Sequence, residues 1–322
     1  VSRNNPIFPY ICLVTAMVLW ASTFVALKLA FRTYDPMVVI FGRMLVASCC
    51  AVLFPFVFKK VQVRRQDIKA ILFMAVCEPC LYFTFEAHAL VHTSAAQAGM
   101  ITTMMPLLVA IGAWAFLKER LTPRTCTGFA LAAAGAVWLS LGSAPSVHAP
   151  NPLLGNFLEF MAMVCATGYA LACKRLTERY SPLFLTFIQA FCGAVFFFPA
   201  LFLPGTTLPT QAAPLPLFAI FYLGAGVTLG AYGLYNFGVS RIPASQATAF
   251  INLIPVFTLI MSAIVLKERF SLTQYLASAL VFTGVILTQD RTARASEPDI
   301  PLDRPKIIPA LDPLIIPKPP KE

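Results

Sequence analysis

The chain has 322 residues, 58% of them hydrophobic and 12% charged, with a mean hydropathy of +0.77 and a formal net charge of +10. A soluble chain covers its surface with roughly 25% charged residues, so this composition excludes a water-soluble enzyme, a disordered chain and a free nucleic-acid binder. In a membrane protein the basic excess reads as the cytoplasmic bias of Lys and Arg.

Mostly apolar stretches long enough to cross a bilayer predict an all-α integral membrane protein with ten transmembrane helices. They fall near residues 7–30, 36–58, 67–91, 93–117, 123–141, 153–173, 182–203, 215–238, 244–266 and 273–289. The first stays attached rather than serving as a cleaved signal: its apolar run is long, a small-residue cleavage site is lacking, and nine spans follow. With an even number of spans both termini share a side. Thirteen Lys and Arg fall on that side before the tail, among them Lys59, Lys60, Arg64 and Arg65, against Lys28, Arg32, Lys267 and Arg269 opposite. Both termini are therefore expected in the cytoplasm.

Along the chain, Trp20 in the first helix and Tyr169 in the sixth lie midway across and are candidates to stack on a planar or apolar substrate; packing is the alternative. Arg43, the one base inside a span, needs partners in hydrocarbon and reads as structural, with anion binding the alternative. In the third helix Glu78, Tyr82 and Glu86 follow i, i+4, i+8 and make a stripe on one side. Carboxylates there are costly unless protonated, paired or wetted, so Glu78 and Glu86 are candidate substrate or proton sites. Hydration at a cavity mouth, or pairing with His88, His92 or Arg43, is the alternative for Glu86. Glu159 is a third intramembrane acid, closer to the outer surface. Cys77 and Cys80 form a CxxC without a second pair, and the nine cysteines read as thiols packed as small hydrophobes. His88 and His92 have metal-pair spacing but no evident third or fourth ligand.

Pro106 lies near the bilayer midplane, where a proline removes a backbone bond and exposes a carbonyl. Pro255 occupies the matching place in the ninth helix. Gly99 and Thr103 share the face of the first proline, Thr248 and Asn252 that of the second. Both prolines are candidate hinges, with Thr103 and Asn252 as polar contacts. In the eighth helix Tyr232, Tyr235 and Asn236 stand together at i, i+3, i+4, and Tyr235 and Asn236 join the candidate substrate set. After residue 290 eight prolines crowd the last 32 residues, which reads as a disordered cytoplasmic tail over 291–322.

Laying residues 93–140 over 242–289 aligns Ala95 with Ala244, Gln97 with Gln246, Pro106 with Pro255 and Gly135 with Gly284, without a gap. Leu-Lys-Glu-Arg occurs at 117–120 and again at 266–269. More loosely, Tyr34-Asp35-Pro36-Met37 matches Tyr180-Ser181-Pro182-Leu183. The chain is thus read as two five-span repeats, 1–141 and 153–290. Five is odd, so the second repeat enters from the opposite face and a pseudo-two-fold axis lies in the membrane plane, an arrangement that serves alternating access in secondary transporters.

These residues resemble the drug/metabolite transporter superfamily, EamA type, over roughly residues 7–290: two five-span repeats, Arg43 early in the second helix, Thr-Ser-Ala-Ala-Gln-Ala before a mid-helix proline, and Leu-Lys-Glu-Arg closing the fourth and ninth helices. The resemblance implies a ten-helix bundle of the bacterial cytoplasmic membrane, with a cavity lined chiefly by the first, third, fourth, sixth, eighth and ninth helices. Members export amino acids, metabolites or drugs. Glu86 departs from the small or aromatic residue more usual there.

The sequence lacks a phosphate loop, a His-Glu-x-x-His and a nucleophile elbow, so no cofactor, enzymatic activity or ATP-driven pumping is expected. The partners are a small-molecule substrate, the lipid bilayer and, for a coupled carrier, protons, with no nucleic acid; the oligomer is a monomer or homodimer. The reading is export of a small amphipathic metabolite, an amino acid or related zwitterion, by alternating access. A facilitative drug or nucleoside-like carrier is the runner-up, ahead of an intramembrane enzyme or a receptor.

Overall fold

Helix starts are written into the sequence as a capping side chain followed by proline. Asp35 accepts from the Met37 N–H at 2.9 Å, Asn151 from Leu154 at 3.3 Å and Ser181 from Phe184 at 3.2 Å, each with proline at the first helical position. Ser94 caps its helix through the Gln97 N–H at 3.1 Å. The structure is a computed structural model that describes residues 7–58, 61–117, 123–177, 179–239 and 250–288, and within these every regular element is helical. The first half carries α1 (Phe8–Phe31), α2 (Pro36–Cys50), α3 (Ile68–Ala75), α4 (Tyr82–His92), α5 (Ala95–Ile101), α6 (Met105–Leu117) and α7 (Pro123–Leu141). The second carries α8 (Pro152–Leu176), α9 (Pro182–Phe197), α10 (Pro214–Phe221), α11 (Tyr232–Val239), α12 (Leu253–Met261) and α13 (Leu272–Thr288).

Among the described residues, six continuous helical stretches are long and apolar enough to cross a membrane: Phe8–Phe31, Pro36–Leu53, Arg65–His92, Pro152–Cys173, Pro182–Phe202 and Pro214–Tyr235. Four shorter apolar helices, Ala95–Val109, Cys126–Leu141, Phe250–Leu266 and Leu272–Leu287, occupy the other expected positions. Large side chains such as Leu72, Phe73, Phe191, Val195 and Phe221 are exposed, as lipid-facing residues must be because acyl chains exert no hydrophobic pressure on them. The second span departs from the expected straight helix: α2 gives way to 3-10 turns at Ala51–Leu53 and Pro55–Val57, since Pro55 has no N–H to continue the ladder. Arg3, Lys59, Lys60, Lys118, Glu119, Arg120, Arg241, Ala244, Gln246, Thr248 and the Pro-rich tail lie outside the described residues, and with them the first Leu-Lys-Glu-Arg copy.

Contacts between the halves repeat themselves under the shift of 149. A Cβ placed on Gly135 would sit 2.8 Å from the Val281 nitrogen and 2.9 Å from the Ala277 oxygen. A Cβ on Gly284 would sit 2.5 Å from both the Ala132 nitrogen and the Gly128 oxygen. Residues 128, 132 and 135 map onto 277, 281 and 284, so α7 and α13 touch through equivalent surfaces, the mark of a two-fold contact. The tyrosines do likewise: the Ala213 N–H donates to the Tyr34 hydroxyl at 2.8 Å, and the Arg64 N–H to the Tyr180 hydroxyl at 3.1 Å. Each hydroxyl also donates onward, to the Gln211 carbonyl at 3.1 Å and to Asp67 Oδ2 at 2.9 Å. Each tyrosine thus ties the start of its own second helix to the segment leading into the third helix of the other repeat.

Candidate functional site

The third span turns on Glu78. Its backbone is extended, φ −145° and ψ 118°, inside the π-helical segment Val76–Leu81 that joins α3 to α4. Pro79 disfavours a helical conformation at the residue before it, so the sequence places the break here. The Glu78 carbonyl accepts from Gln189 Nε2 of α9 at 2.7 Å. Its half-buried carboxylate accepts from the Tyr232 hydroxyl at 3.1 Å, across 154 residues of sequence. Glu78 is the fourteenth residue of the 28-residue span Arg65–His92, which puts this pair near the membrane middle.

Aromatic rings surround the pair. Trp20 of α1 meets Tyr232 edge-on at 5.3 Å between centroids and Tyr235 at 5.2 Å. Tyr169 of α8 lies within electrostatic reach of Tyr232 and Glu78. The eighth span reaches this point through a second π segment, Tyr222–Ala231. There a Cβ on Gly224 would lie 2.8 Å from the Arg43 carbonyl, so glycine lets the segment press against α2. π segments interrupt helices most often at functional positions.

A second group lies toward the outer end of the same span. Glu86 is 2% exposed. It accepts from the Tyr82 hydroxyl at 3.0 Å and faces Arg43 Nη1 at 4.0 Å. The Arg43 guanidinium lies 4.3 Å over the Phe83 ring, and its Nε reaches Thr228 Oγ1 at 3.5 Å. Arg43 therefore links α2, α4 and the Tyr222–Ala231 segment, consistent with a tethering role. Glu86 is buried and paired with Arg43, the pairing named among its alternatives. The His88 and His92 rings engage the Thr84 and His88 carbonyls at 2.7 and 2.8 Å.

Of the residues singled out in the sequence, Trp20, Glu78, Tyr82, Glu86, Tyr169 and Tyr235 converge in these two adjoining groups. Thr103 does not: it is 3% exposed and its hydroxyl bonds the Met100 carbonyl of its own helix at 2.7 Å. Asn252 is half-buried at the end of the 3-10 turn Phe250–Asn252, and the Asn236 side chain lies outside the described set. Pro106, half-buried, and Pro255, buried, both stand just after a 3-10 turn, Thr102–Met104 and Phe250–Asn252. The helix is thus retuned in both places where a proline frees a carbonyl.

Sequence reasoning passed over three contributors. Tyr232 belongs to the stripe in the eighth helix, of which only Tyr235 and Asn236 are in the candidate substrate set. Gln189 carries no local signal, because its partner is a carbonyl freed 111 residues away. Glu268 belongs to the repeated Leu-Lys-Glu-Arg, and its 6%-exposed carboxylate accepts from the Ala95 and Ala96 N–H groups at 3.0 and 3.1 Å. It caps α5, in the other repeat, where four helix N–H groups lack intrahelical partners. The Thr-Ser-Ala-Ala-Gln segment is likewise structural here. Thr93 Oγ1 donates to Asn156 Oδ1 at 2.6 Å, and Asn156 Nδ2 donates to Gln97 Oε1 at 3.0 Å and Ser140 Oγ at 3.1 Å.

The chain matches the model of the EamA-like transporter family twice, over residues 7–141 and 153–289. It is similar to YetK, an uncharacterized transporter of Bacillus subtilis (strain 168), with 26% identity over 87% of this chain and 86% of the relative. YcxC of the same organism, also an uncharacterized transporter, is 30% identical over 82% of this chain and 87% of its own. A probable terminal-alkyne amino-acid exporter of Streptantibioticus cattleyicolor is 25% identical, covering 87% of this chain and 93% of the relative. A crystal structure 18% identical in sequence shares the fold at a TM-score of 0.60, covering 87% of this chain and 97% of that one. A multi-pass helical membrane protein whose two halves each match the same family model belongs to the EamA-like transporter family.

Proposed function

We propose that this chain is a secondary transporter that exports a small amphipathic metabolite, an amino acid or related zwitterion, by alternating access across the bacterial cytoplasmic membrane, with both termini on the cytoplasmic side. The carrying observation is the Glu78–Tyr232 pair at mid-membrane, a carboxylate from one repeat bonded by a hydroxyl from the other and walled by Trp20 and Tyr235. A half-buried carboxylate among rings favours an ammonium group, through charge and cation–π attraction together. The site has no cluster of bases, which disfavours phosphorylated substrates. Supporting the class is the relative whose name specifies an amino-acid exporter.

The inverted repeat gives the mechanism: exchanging the conformations of the halves moves the opening from one face to the other around a fixed site. Pro106 and Pro255 serve as matched hinges in that exchange. No bond-making chemistry is assigned to the site.

The test is flux in liposomes holding the full chain, with radiolabelled L-amino acids and an imposed proton gradient. Coupled transport gives accumulation against the amino-acid gradient; a facilitative carrier gives downhill flux only. No flux of any amino acid in either direction would refute the substrate class.

A further inference from the structure

We propose that Glu159 is a proton-binding site, carrying a proton as the neutral acid in the conformation seen here and releasing it when the conformation changes. The proposal rests on the transport reading above and divides its labour: Glu78 meets the substrate, Arg43 holds Glu86, and Glu159 takes the coupling proton.

Glu159 is the eighth residue of α8 and is 0% exposed. Neither of its carboxylate oxygens has a hydrogen-bond partner. Ala162 and Met163, one turn further along its own helix, pack against Ile101, Tyr82, Phe85, Met105 and Leu108. An ionised carboxylate in such a place costs several kcal/mol unless something neutralises it.

The charges nearby do not. Facing α8 from α4 are Glu86 and Tyr82, with Arg43 of α2 behind Glu86; α4 also carries the exposed His88 and half-buried His92, the preceding π segment Glu78, Cys77 and Cys80, and α3 the exposed Lys69 at its start. α5 and α6 and the turn between them contain no titratable residue, and those of α7, Arg124 and Cys126, lie in its first turn at the far end. The one guanidinium stands against Glu86 at 4.0 Å, and Glu86 Oε2 is itself without a hydrogen bond. One positive charge beside two carboxyls leaves one of them to be neutralised. A like charge within reach disfavours ionising both. Among the described residues no group of three or more His, Cys, Asp or Glu is placed to hold a metal ion. The ligand that fits a closed apolar site of this kind is the proton: an O–H bond forms on Glu159 with a proton taken from hydronium, and water is released.

A carboxyl that makes no hydrogen bond adds nothing to folding, because a buried unsatisfied polar group costs stability. Functional acids and structural acids therefore separate experimentally. The purified full chain in lipid nanodiscs is followed by infrared difference spectroscopy across pH steps, reading the C=O stretch of neutral carboxyl groups. The expected result is a band in wild type that disappears as pH rises, is absent in Glu159→Gln and remains in Glu86→Gln but disappears at lower pH, because the competing like charge is gone, while Glu159→Gln unfolds no earlier than wild type. An identical band in Glu159→Gln would overturn the proposal, as would a wild-type band that never titrates or a clearly destabilised Glu159→Gln. Should Glu159→Gln fail to assemble, Glu159→Asp serves: its displaced carboxyl must change the band frequency, and an unchanged band refutes the assignment. The spectra need no substrate, so absence of amino-acid flux would refute the transport reading while leaving this result standing.

Discussion

Glu268 makes the most quantitative forecast. Its carboxylate receives the Ala95 and Ala96 N–H groups at 3.0 and 3.1 Å while 6% exposed. Hydrogen bonds to a charged acceptor contribute about 1.5–3 kcal/mol each, and neutral ones about 0.5–1.5 kcal/mol. Glu268→Gln keeps one acceptor oxygen at the neutral value and turns an amide donor toward the other N–H, a net loss of about 2–5 kcal/mol. Glu268→Ala removes both acceptors and costs more. The adjoining Lys267 supplies an opposite control. It stops its helix at φ 61°, a left-handed conformation costing a non-glycine residue about 1–2 kcal/mol. Glycine relieves that strain while costing about 0.5–1 kcal/mol of extra chain entropy, so Lys267→Gly is expected to be neutral or to stabilise by up to about 1.5 kcal/mol. Equilibrium unfolding of the purified chain in mixed micelles measures all three. Glu268→Gln within about 0.5 kcal/mol of wild type, the range of an inconsequential surface change, would refute the capping role.

Three further outcomes are expected. Gly135→Ala and Gly284→Ala should each destabilise by about 1–3 kcal/mol through overpacking, Gly284→Ala more because its new methyl meets backbone at 2.5 Å; no loss in either variant would refute the α7–α13 contact. Pro106→Ala and Pro255→Ala should insert normally and transport more slowly, and wild-type flux in both would remove the hinge assignment. With the exposed Cys49 and Cys126 replaced by Ser, an impermeant thiol reagent applied to intact cells should label Val147→Cys, at a 96%-exposed position between α7 and α8, and spare Gln66→Cys; the reverse pattern would overturn the cytoplasmic placement of the termini.

What the sequence disclosed, and what it hid, divides along the range of the interactions. Apolar runs and the dipeptides Asp35-Pro36, Asn151-Pro152 and Ser181-Pro182 announce spans and their starts because capping is local. The stripe from Glu78 through Tyr82 to Glu86 was legible only in its second half, where Tyr82 and Glu86 bond one turn apart. Its first half assumed an unbroken helix, and Pro79 was the overlooked signal. Tyr232 and Gln189 reach Glu78 from 154 and 111 residues away, and no helical periodicity encodes such pairings. Leu-Lys-Glu-Arg served in the sequence as a mark of duplication; that Glu268 caps a helix of the other repeat needed the folded chain. Gly135 and Gly284 were likewise visible as aligned letters, and their meaning is a close approach of backbones.

The account's central claim is that one substrate site is assembled from both repeats at Glu78 and Tyr232. A double-mutant cycle of Glu78→Gln and Tyr232→Phe, read as the half-saturating concentration for radiolabelled amino-acid counterflow in liposomes, addresses it directly. A shared site predicts that the two losses fail to add, with a coupling of about 0.5–3 kcal/mol as found for groups in contact. Strictly additive effects, or a Glu78→Gln variant that exchanges amino acids like wild type, would contradict it.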